Sequence, residues 1–322
     1  MTARPRPAAG RDREPVLDVV EYTDPLCPWA WGSEPEFRLL RARLRARPGV
    51  RVRWRRAYAI LFDEGEDPAP DPAAEAAWYS GYVAEVCAHT GAPRPHALDR
   101  VALSSWPASL AARAAQAQGP LVAERVLRRL RESEFVLGAP ADTPQRVLAC
   151  LRAVPGLDTG RLSADAASPA VADSVRADRA EARRPLPEVL DLDGPPPHPG
   201  AAKELDGGGH RYALPTLLLR GPGGTRVVPG RRPLEAYAQA LSEVLPGPWP
   251  QPRPLSADDA LDLHRTLTAP ELELLTEERA APAWALRIDT PGGPLWLHPD
   301  EAAGHPALLN SRPGNETPFG VH

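Results

Sequence analysis

The chain has 322 residues, of which 43% are hydrophobic and 25% charged, and its formal net charge is -4. These values are ordinary for a soluble globular protein of one large domain or two modest ones. The small negative charge argues against a nucleic-acid or anionic-membrane partner. No apolar run reaches the roughly 20 residues that a membrane-spanning helix requires.

The N-terminal segment, residues 1–14, is polar and rich in proline and arginine. It lacks the apolar core of a secretory signal, so we expect a disordered lead on a cytoplasmic protein. The cysteines are Cys27, Cys87 and Cys150. An odd and sparse set of this kind is typical of a reducing compartment and argues against a disulfide framework.

The first structured segment, residues 15–62, contains an apolar run at 16–22 that predicts a buried strand. A short turn leads to Cys27, and a helix is expected from there to about Arg47. Apolar and arginine residues then alternate over 50–55, which indicates a half-exposed strand. Strand, helix and strand in this order predict a parallel pair.

The next segment, residues 63–209, is expected to be an inserted helical domain with flanking linkers. Residues 63–71 are acidic and proline-rich, and 185–209 are rich in proline and glycine, so we interpret the first as a linker and the second as a loop. Three helix starts combine a hydroxyl residue that can cap free amides with a nearby proline. These caps are Ser105, Thr143 and Ser168.

The sheet is expected to resume at residues 210–246, with an apolar strand at 212–219, a hairpin partner at 225–228 and a closing helix at 233–245. Residues 251–322 predict two short helices and a hairpin, a small C-terminal α+β extension. Its outline resembles a winged helix, but it lacks a basic recognition face. A docking or capping module is the simpler interpretation.

Cys27 stands between a predicted strand and a predicted helix. Free amides and the helix dipole stabilise a thiolate there, and Pro28 suits the first helical position. Trp29 offers an apolar wall for a substrate, but it also desolvates the sulfur, which opposes the thiolate. The sequence therefore leaves the direction of the pKa shift open. Cys87 and Cys150 lie on predicted helices and are interpreted as small buried hydrophobes.

Residues 23–32, which contain Cys27-Pro28-Trp29-Ala30, resemble the active-site segment of DsbA/FrnE-like oxidoreductases, whose usual motif is Cys-Pro-Trp-Cys. Leu214-Pro215-Thr216 resembles the cis-proline loop of that family. The resemblance covers about residues 15–246. It implies an α/β thioredoxin fold with an inserted all-helical domain, Cys27 as nucleophile and a cis bond before Pro215. It also implies a substrate surface formed by Asp24, Pro28, Trp29, Ala30, Trp31, Leu214, Pro215 and Thr216.

Position 30 departs from the family motif, because Ala30 replaces the second cysteine. A dithiol enzyme uses that thiol to release the mixed disulfide that the first thiol forms. Here the second thiol has to come from outside, or from Cys87 or Cys150. The expectation is a monothiol oxidoreductase or a thiol transferase acting on a small-molecule or peptide substrate.

Kappa-class glutathione transferases and hydroxychromene-carboxylate isomerases are similar to this fold, and they hold a thiol cofactor against one motif hydroxyl. The similarity implies a low-molecular-weight thiol or an electrophile as the second reactant, with no cofactor bound tightly. At the position where the kappa-like proteins bind the glutamyl end of glutathione, this chain has Arg231 and Arg232. Guanidinium groups suit a carboxylate or phosphate better than an ammonium group, which favours another thiol, such as mycothiol, or an anionic substrate over glutathione. Plain surface charge is the other interpretation.

Two other functions stay open. One is a redox-inactive adaptor that binds a protein partner through the C-terminal module and the tail at 310–322. The other is a natural-product tailoring isomerase, which no sequence feature tests. An apparent Cys27 pKa well below ~8.5 would favour an enzyme, and a normal or inert thiol would favour the adaptor.

The remaining candidate residues are assigned structural roles. Asp24 is interpreted as a turn residue, with proton acceptance from the thiol as the alternative. Cys87-Ala88-His89 has no second pair at metal-site spacing, so no metal is expected. His198, His210, His298 and His305 are expected to be solvated. Core positions are expected for Trp54, Trp78 and Trp106.

Overall fold

A computed structural model of the protein describes residues 14–63, 71–192, 194, 198, 200–205, 207–249 and 253–309. Most of the expected disordered lead, the centre of the expected linker at 63–71 and the tail at 310–322 lie outside the described residues. Within the described residues, no helix is both long and apolar enough to cross a membrane.

The chain opens with the predicted strand, helix and strand. They are β1 (Val16–Thr23), α1 (Pro28–Gly32), α2 (Glu34–Ala46) and β2 (Arg51–Tyr58). β1 and β2 are parallel, as the order of elements predicted. The single helix expected after Cys27 is two helices that meet at Ser33, whose hydroxyl donates to the Trp29 carbonyl at 2.8 Å.

The inserted segment is helical as predicted, with α3 (Pro72–Thr90), α4 (Trp106–Ala115), α5 (Pro120–Phe135), α6 (Pro144–Cys150), α7 (Thr159–Ala166) and α8 (Pro169–Ala182). Thr143 and Ser168 cap α6 and α8 through their side chains. The cap predicted at Ser105 is wrong, although α4 does begin beside it. The Ser105 hydroxyl instead donates to the Asp24 carboxylate at 3.0 Å, a contact between distant parts of the chain.

The stretch at 185–209 is not only a loop. It contains a 3₁₀ turn at Pro187–Val189 and the strand β3 (Ala202–Glu204), which pairs antiparallel with β4 (His210–Tyr212). β3 is short and mostly exposed, so its sequence shows no apolar alternation that would predict a strand. The strand expected at 212–219 is interrupted before β5 (Thr216–Gly221). β6 (Gly224–Pro229) and α9 (Leu234–Val244) then follow as predicted.

The central sheet has the strand order β2-β1-β5-β6, and β5 is antiparallel to both of its neighbours. Alternate residues of β1 bury two cores. Leu17 and Val19 pack with α2 and α9, whereas Val20 and Tyr22 pack in the cluster that contains Cys27. The sheet therefore carries the cysteine cluster on one face only.

The C-terminal segment contains α10 (Ala257–His264), β7 (Thr266–Thr268), α11 (Ala269–Leu275), β8 (Leu286–Ile288), β9 (Leu295–Leu297), α12 (Pro299–Ala302) and α13 (Pro306–Leu309). β8 and β9 form the predicted hairpin, and β7 extends it to a three-stranded antiparallel sheet. The two predicted helices correspond to α10 and α11.

Buried ion pairs join this C-terminal segment to α5. Arg128 donates to both carboxylate oxygens of Glu271 at 2.8 and 2.9 Å, and Arg129 pairs with Glu301. His305, expected to be solvated, is fully buried and lies 3.3 Å from Glu132. Removing one member of such a pair costs about 3–5 kcal/mol, because the other charge is left buried and alone. The inner face of the module is thus occupied by the rest of the chain.

Candidate functional site

Cys27 is the N-terminal cap residue of α1, at the end of the turn that follows β1. Its thiol donates to the Leu214 carbonyl at 3.8 Å, although 187 residues separate the two along the chain. The Leu214–Pro215 peptide bond is cis, which confirms the prediction for this loop. The fold therefore brings the two segments of the family resemblance together.

An aromatic wall encloses the sulfur. Trp29 is 4% exposed, and its indole N–H donates to the Tyr82 hydroxyl at 2.6 Å. Trp78 stacks on Tyr82 with parallel rings 5.8 Å apart. The prediction that Trp78 is a core residue is wrong, because its side chain is 68% exposed. A run of aromatic rings thus extends from the surface of α3 to the wall beside Cys27.

His198 is a site residue that the sequence analysis missed. It is 3% exposed rather than solvated, and its ring lies 4.9 Å from the Trp29 ring. Nε2 is 3.0 Å from the Leu214 carbonyl, which can only accept, so Nε2 carries the hydrogen. Burial lowers the pKa of His198 to about 4, so the ring is neutral at neutral pH. No periodicity surrounds it, and the sequence offered no signal for its position.

Asp24 lies beneath the site and is fully buried. One carboxylate oxygen accepts from the Leu26 amide at 2.8 Å and from the Ser105 hydroxyl, and the other accepts from the Leu61 amide at 2.7 Å. Burial raises the pKa of Asp24 to about 6. These contacts support its interpretation as a turn residue. Its proposed contact with a substrate stays a prediction.

Burial decides the protonation of Cys27. Removal from water raises the pKa of its thiol to about 11, and the Asp24 carboxylate acts in the same direction. The amides of Ala30 and Trp29 and the Arg211 guanidinium lower this pKa, but they do not outweigh burial. The thiol is therefore protonated at neutral pH in the free protein.

Other residues expected at the substrate surface occupy different surroundings. Trp31 is 1% exposed and donates to the Pro93 carbonyl at 2.9 Å, in a core cluster separate from that of Cys27. Thr216 is fully buried and donates to the Ala213 carbonyl at 2.5 Å. Pro28 and Ala30 are buried within α1.

The two candidate arginines point to different partners. Arg231 pairs with Glu36 of α2 at 2.6 Å, and Arg232 donates to the Arg231 carbonyl at 2.8 Å. Arg232 also lies beside His198 across Gly230, where a Cβ would stand 2.7 Å from His198 Nδ1. Gly230 has a φ of +69°, which suits glycine. Arg232 therefore adjoins the wall of the site, whereas Arg231 is engaged elsewhere.

The other two thiols are separate from the site. Cys87 and Cys150 are buried free thiols, and they pack in two further core clusters, as expected for small hydrophobes. Over the described parts of the chain, no group of three histidine, cysteine or acidic side chains is placed to hold a metal ion.

A family model described as Thioredoxin matches residues 21–184. The chain belongs to the thioredoxin family. The expected α/β thioredoxin fold with a helical insertion is thereby confirmed. The family match includes the end of β1, the Cys27 motif, β2 and the inserted helices α3 to α8.

Three known proteins illustrate the likeness. The ClpXP adapter protein SpxH of Shouchella clausii is 29% identical over 167 residues, which cover 50% of this chain and 52% of that protein. The chain thus spans about half the length of this curated relative. A structure from Nitrosomonas europaea described as a "putative protein disulfide isomerase" has a TM-score of 0.53 at 16% identity, over 71% of this chain and 96% of that one. The cytosolic disulfide reductase DsbM of Pseudomonas aeruginosa has a TM-score of 0.44 at 19% identity, over 66% and 88%.

The raised pKa of Cys27 predicts slow alkylation at neutral pH. The rate of alkylation by iodoacetamide, measured by mass spectrometry of the Cys27 peptide, should still rise above pH 9, because the thiolate forms only at high pH. The same peptide in urea-unfolded protein is the control and should show a midpoint near the ordinary ~8.5. A midpoint below 8.5 in the folded protein would contradict the dominance of burial.

A second buried acid lies near the site. Glu134 of α5 is fully buried, and neither carboxylate oxygen has a hydrogen-bond partner among the described residues. Burial raises its pKa from 4.5 to about 8, and the charges of Asp142 and Asp24 add to this shift. The folded protein therefore keeps this proton between pH 4.5 and 8, whereas the unfolded chain loses it.

Because the unfolded state loses the Glu134 proton first, stability should fall as pH rises through this window, by about 1.4 kcal/mol per pH unit at most. Glu134→Gln should remove that part of the slope. The measurement is the free energy of unfolding in urea at pH 5.5, 6.5 and 7.5, with the exposed Glu188→Gln as control. Equal slopes in the wild type and Glu134→Gln would refute the assignment.

Proposed function

We propose that this protein is a thiol oxidoreductase or thiol transferase in which Cys27 is the only nucleophile and a low-molecular-weight thiol is the second reactant. The observation that carries the proposal is the position of the Cys27 sulfur. Cys27 is the N-cap residue of α1, the amides of Ala30 and Trp29 act on its sulfur, and the sulfur lies 3.8 Å from the Leu214 carbonyl oxygen. The meeting of these distant segments at one sulfur supports a catalytic role for the thiol.

The proposed substrate is a mixed disulfide between a substrate sulfur and the small thiol. The Cys27 thiolate attacks the small-thiol sulfur, the original S–S bond breaks, and the substrate sulfur leaves with the proton that Cys27 lost. A second molecule of small thiol then attacks the sulfur attached to Cys27. Its proton returns to Cys27, and the two small thiols leave as their own disulfide. The substrate is reduced by two electrons and the small thiol supplies them.

Activation by the substrate follows from the protonated resting state. An attacking thiol works best when its pKa is near the ambient pH, and burial holds Cys27 above that range. The amides of Trp29 and Ala30 and the charge of Arg211 stabilise the thiolate once it forms. We infer that a bound substrate donates a hydrogen bond to the Leu214 carbonyl in place of the Cys27 thiol and so frees the sulfur.

The small thiol and the substrate class are also proposals. Arg232 adjoins the wall of the site, and its charge suits a carboxylate-bearing or otherwise anionic thiol. Glutathione carries two carboxylates and mycothiol carries none, so this cation suits glutathione or another anionic thiol, contrary to the expectation from the sequence. The other half of the mixed disulfide is either a peptide or a small molecule. Arg231 supports this less, since Glu36 already neutralises it.

Two substitutions at the motif test the proposal. Cys27→Ala should lower the rate of reduction of a peptide–mycothiol or peptide–glutathione mixed disulfide by at least ~100-fold, to the uncatalysed rate. Ala30→Cys should create a dithiol/disulfide couple that titrates against a glutathione redox buffer. Cys87→Ala, which removes a buried thiol outside the site, is the control and should keep the wild-type rate. An unchanged rate in Cys27→Ala would exclude Cys27 as the nucleophile.

An adaptor that binds a protein partner is the second candidate. The 29% identity with a ClpXP adapter protein favours it, as does the buried, protonated thiol. The inner face of the C-terminal module already contacts α5, so a partner would bind its outer face or the aromatic rings of α3. The adaptor predicts that Cys27→Ala restores full function in a deletion strain, whereas the enzyme predicts loss of function.

A further inference from the structure

A cationic pocket lies between α2, α5 and α10, outside the cysteine site. Its volume is about 50 Å³. A single buried water needs about 10–15 Å³ on a similar measure, so the pocket can hold a group of several non-hydrogen atoms. Its basic lining residues are Arg38, Arg41, Arg45, Arg125, Arg128 and His264.

Three of these arginines are neutralised by glutamates below the pocket. Arg38 lies 2.9 Å from Glu271. Arg41 lies 2.7 Å from Glu34, and Arg128 donates to Glu132 at 2.7 Å. The one acidic residue of the lining, Glu124, is paired with Arg56 at 2.8 Å.

The other two arginines have no such compensation. Within the described residues, no ion pair includes Arg45 or Arg125, and the guanidinium of Arg125 donates only to the Pro155 carbonyl at 3.0 Å. Arg45 lies exposed on α2 and Arg125 is half-buried on α5. After the paired charges cancel, two positive charges remain at the pocket.

Two further observations indicate a ligand. Nη1 of Arg41 is buried without a hydrogen-bond partner and lies 3.7 Å from a carboxylate oxygen of Glu21. Burial and the charges of Arg38 and Arg41 hold the pKa of His264 well below its ordinary value. Arg41, which lines the pocket, therefore keeps one unused hydrogen-bond donor group, and the arginines create a positive field at His264.

We propose that this pocket binds a doubly charged oxyanion of phosphate size. Two uncompensated guanidinium groups match two negative charges, and planar guanidinium groups suit phosphate oxygens. Leu121 and Leu263 also line the pocket and are 57% and 46% exposed, which suits an organic group attached to the phosphate. Because the lining comes from α2, α5 and α10, a bound anion would hold the C-terminal module against the thioredoxin domain.

The test is isothermal titration calorimetry of the full chain with inorganic phosphate and with phenyl phosphate, at an ionic strength held constant with sodium chloride. The variant is Arg45→Ala combined with Arg125→Ala, neither of which breaks an ion pair. Arg152→Ala, which removes an exposed arginine elsewhere, is the control. The double variant should bind at least tenfold more weakly, and the control should bind like the wild type.

A second readout is the His264 imidazole signal in NMR spectra, which the anion should shift in the wild type and not in the double variant. Tighter binding of phenyl phosphate assigns the pocket to a phosphomonoester, and tighter binding of inorganic phosphate assigns it to the free anion. Either result supports an oxyanion site. No saturable binding of either, or equal binding by the double variant, would overturn the proposal whatever the activity of Cys27.

Discussion

The carboxylate of Asp24 is the contact on which the geometry of the site depends. It accepts hydrogen bonds from the turn before Cys27, from the segment after β2 and from the start of α4. Hydrogen bonds to a charged group contribute about 1.5–3 kcal/mol each. They offset part of the cost of burying this charge, and the remainder raises the pKa of Asp24 to about 6. The Asp24 side chain thus joins the first βαβ unit to the inserted helices. It also fixes the turn that places Cys27 at the start of α1.

This construction has an electrostatic consequence. The helix start that ought to stabilise a thiolate is buried under Trp29, His198 and the Leu214 carbonyl, and desolvation outweighs the helix amides. With Ala30 in place of a second cysteine, the site also lacks the thiol that would release a mixed disulfide. Both features favour a Cys27 thiol that stays protonated until a substrate binds and that depends on an external thiol for its release.

Much of the fold follows from local patterns, and much of the site does not. The apolar runs of β1 and β5, the caps at Thr143 and Ser168 and the motif at Cys27 are signals of a few adjacent residues, so they could be identified. The roles of His198 and Ser105 depend on contacts with residues far along the chain, and no periodicity reports such contacts. The same holds for the ion pairs that attach the C-terminal module, since Arg128 and Glu271 resemble surface residues in the sequence.

The central claim is that Cys27 forms a mixed disulfide with a small thiol during its reaction cycle. The most direct measurement is peptide mass spectrometry of the protein isolated from its native host under acid, which stops thiol exchange. We expect a fraction of Cys27 to carry the mass of a low-molecular-weight thiol that dithiothreitol removes, with Cys87 and Cys150 unmodified. Cys27 found entirely as the free thiol, in cells exposed to a disulfide stress, would contradict the account.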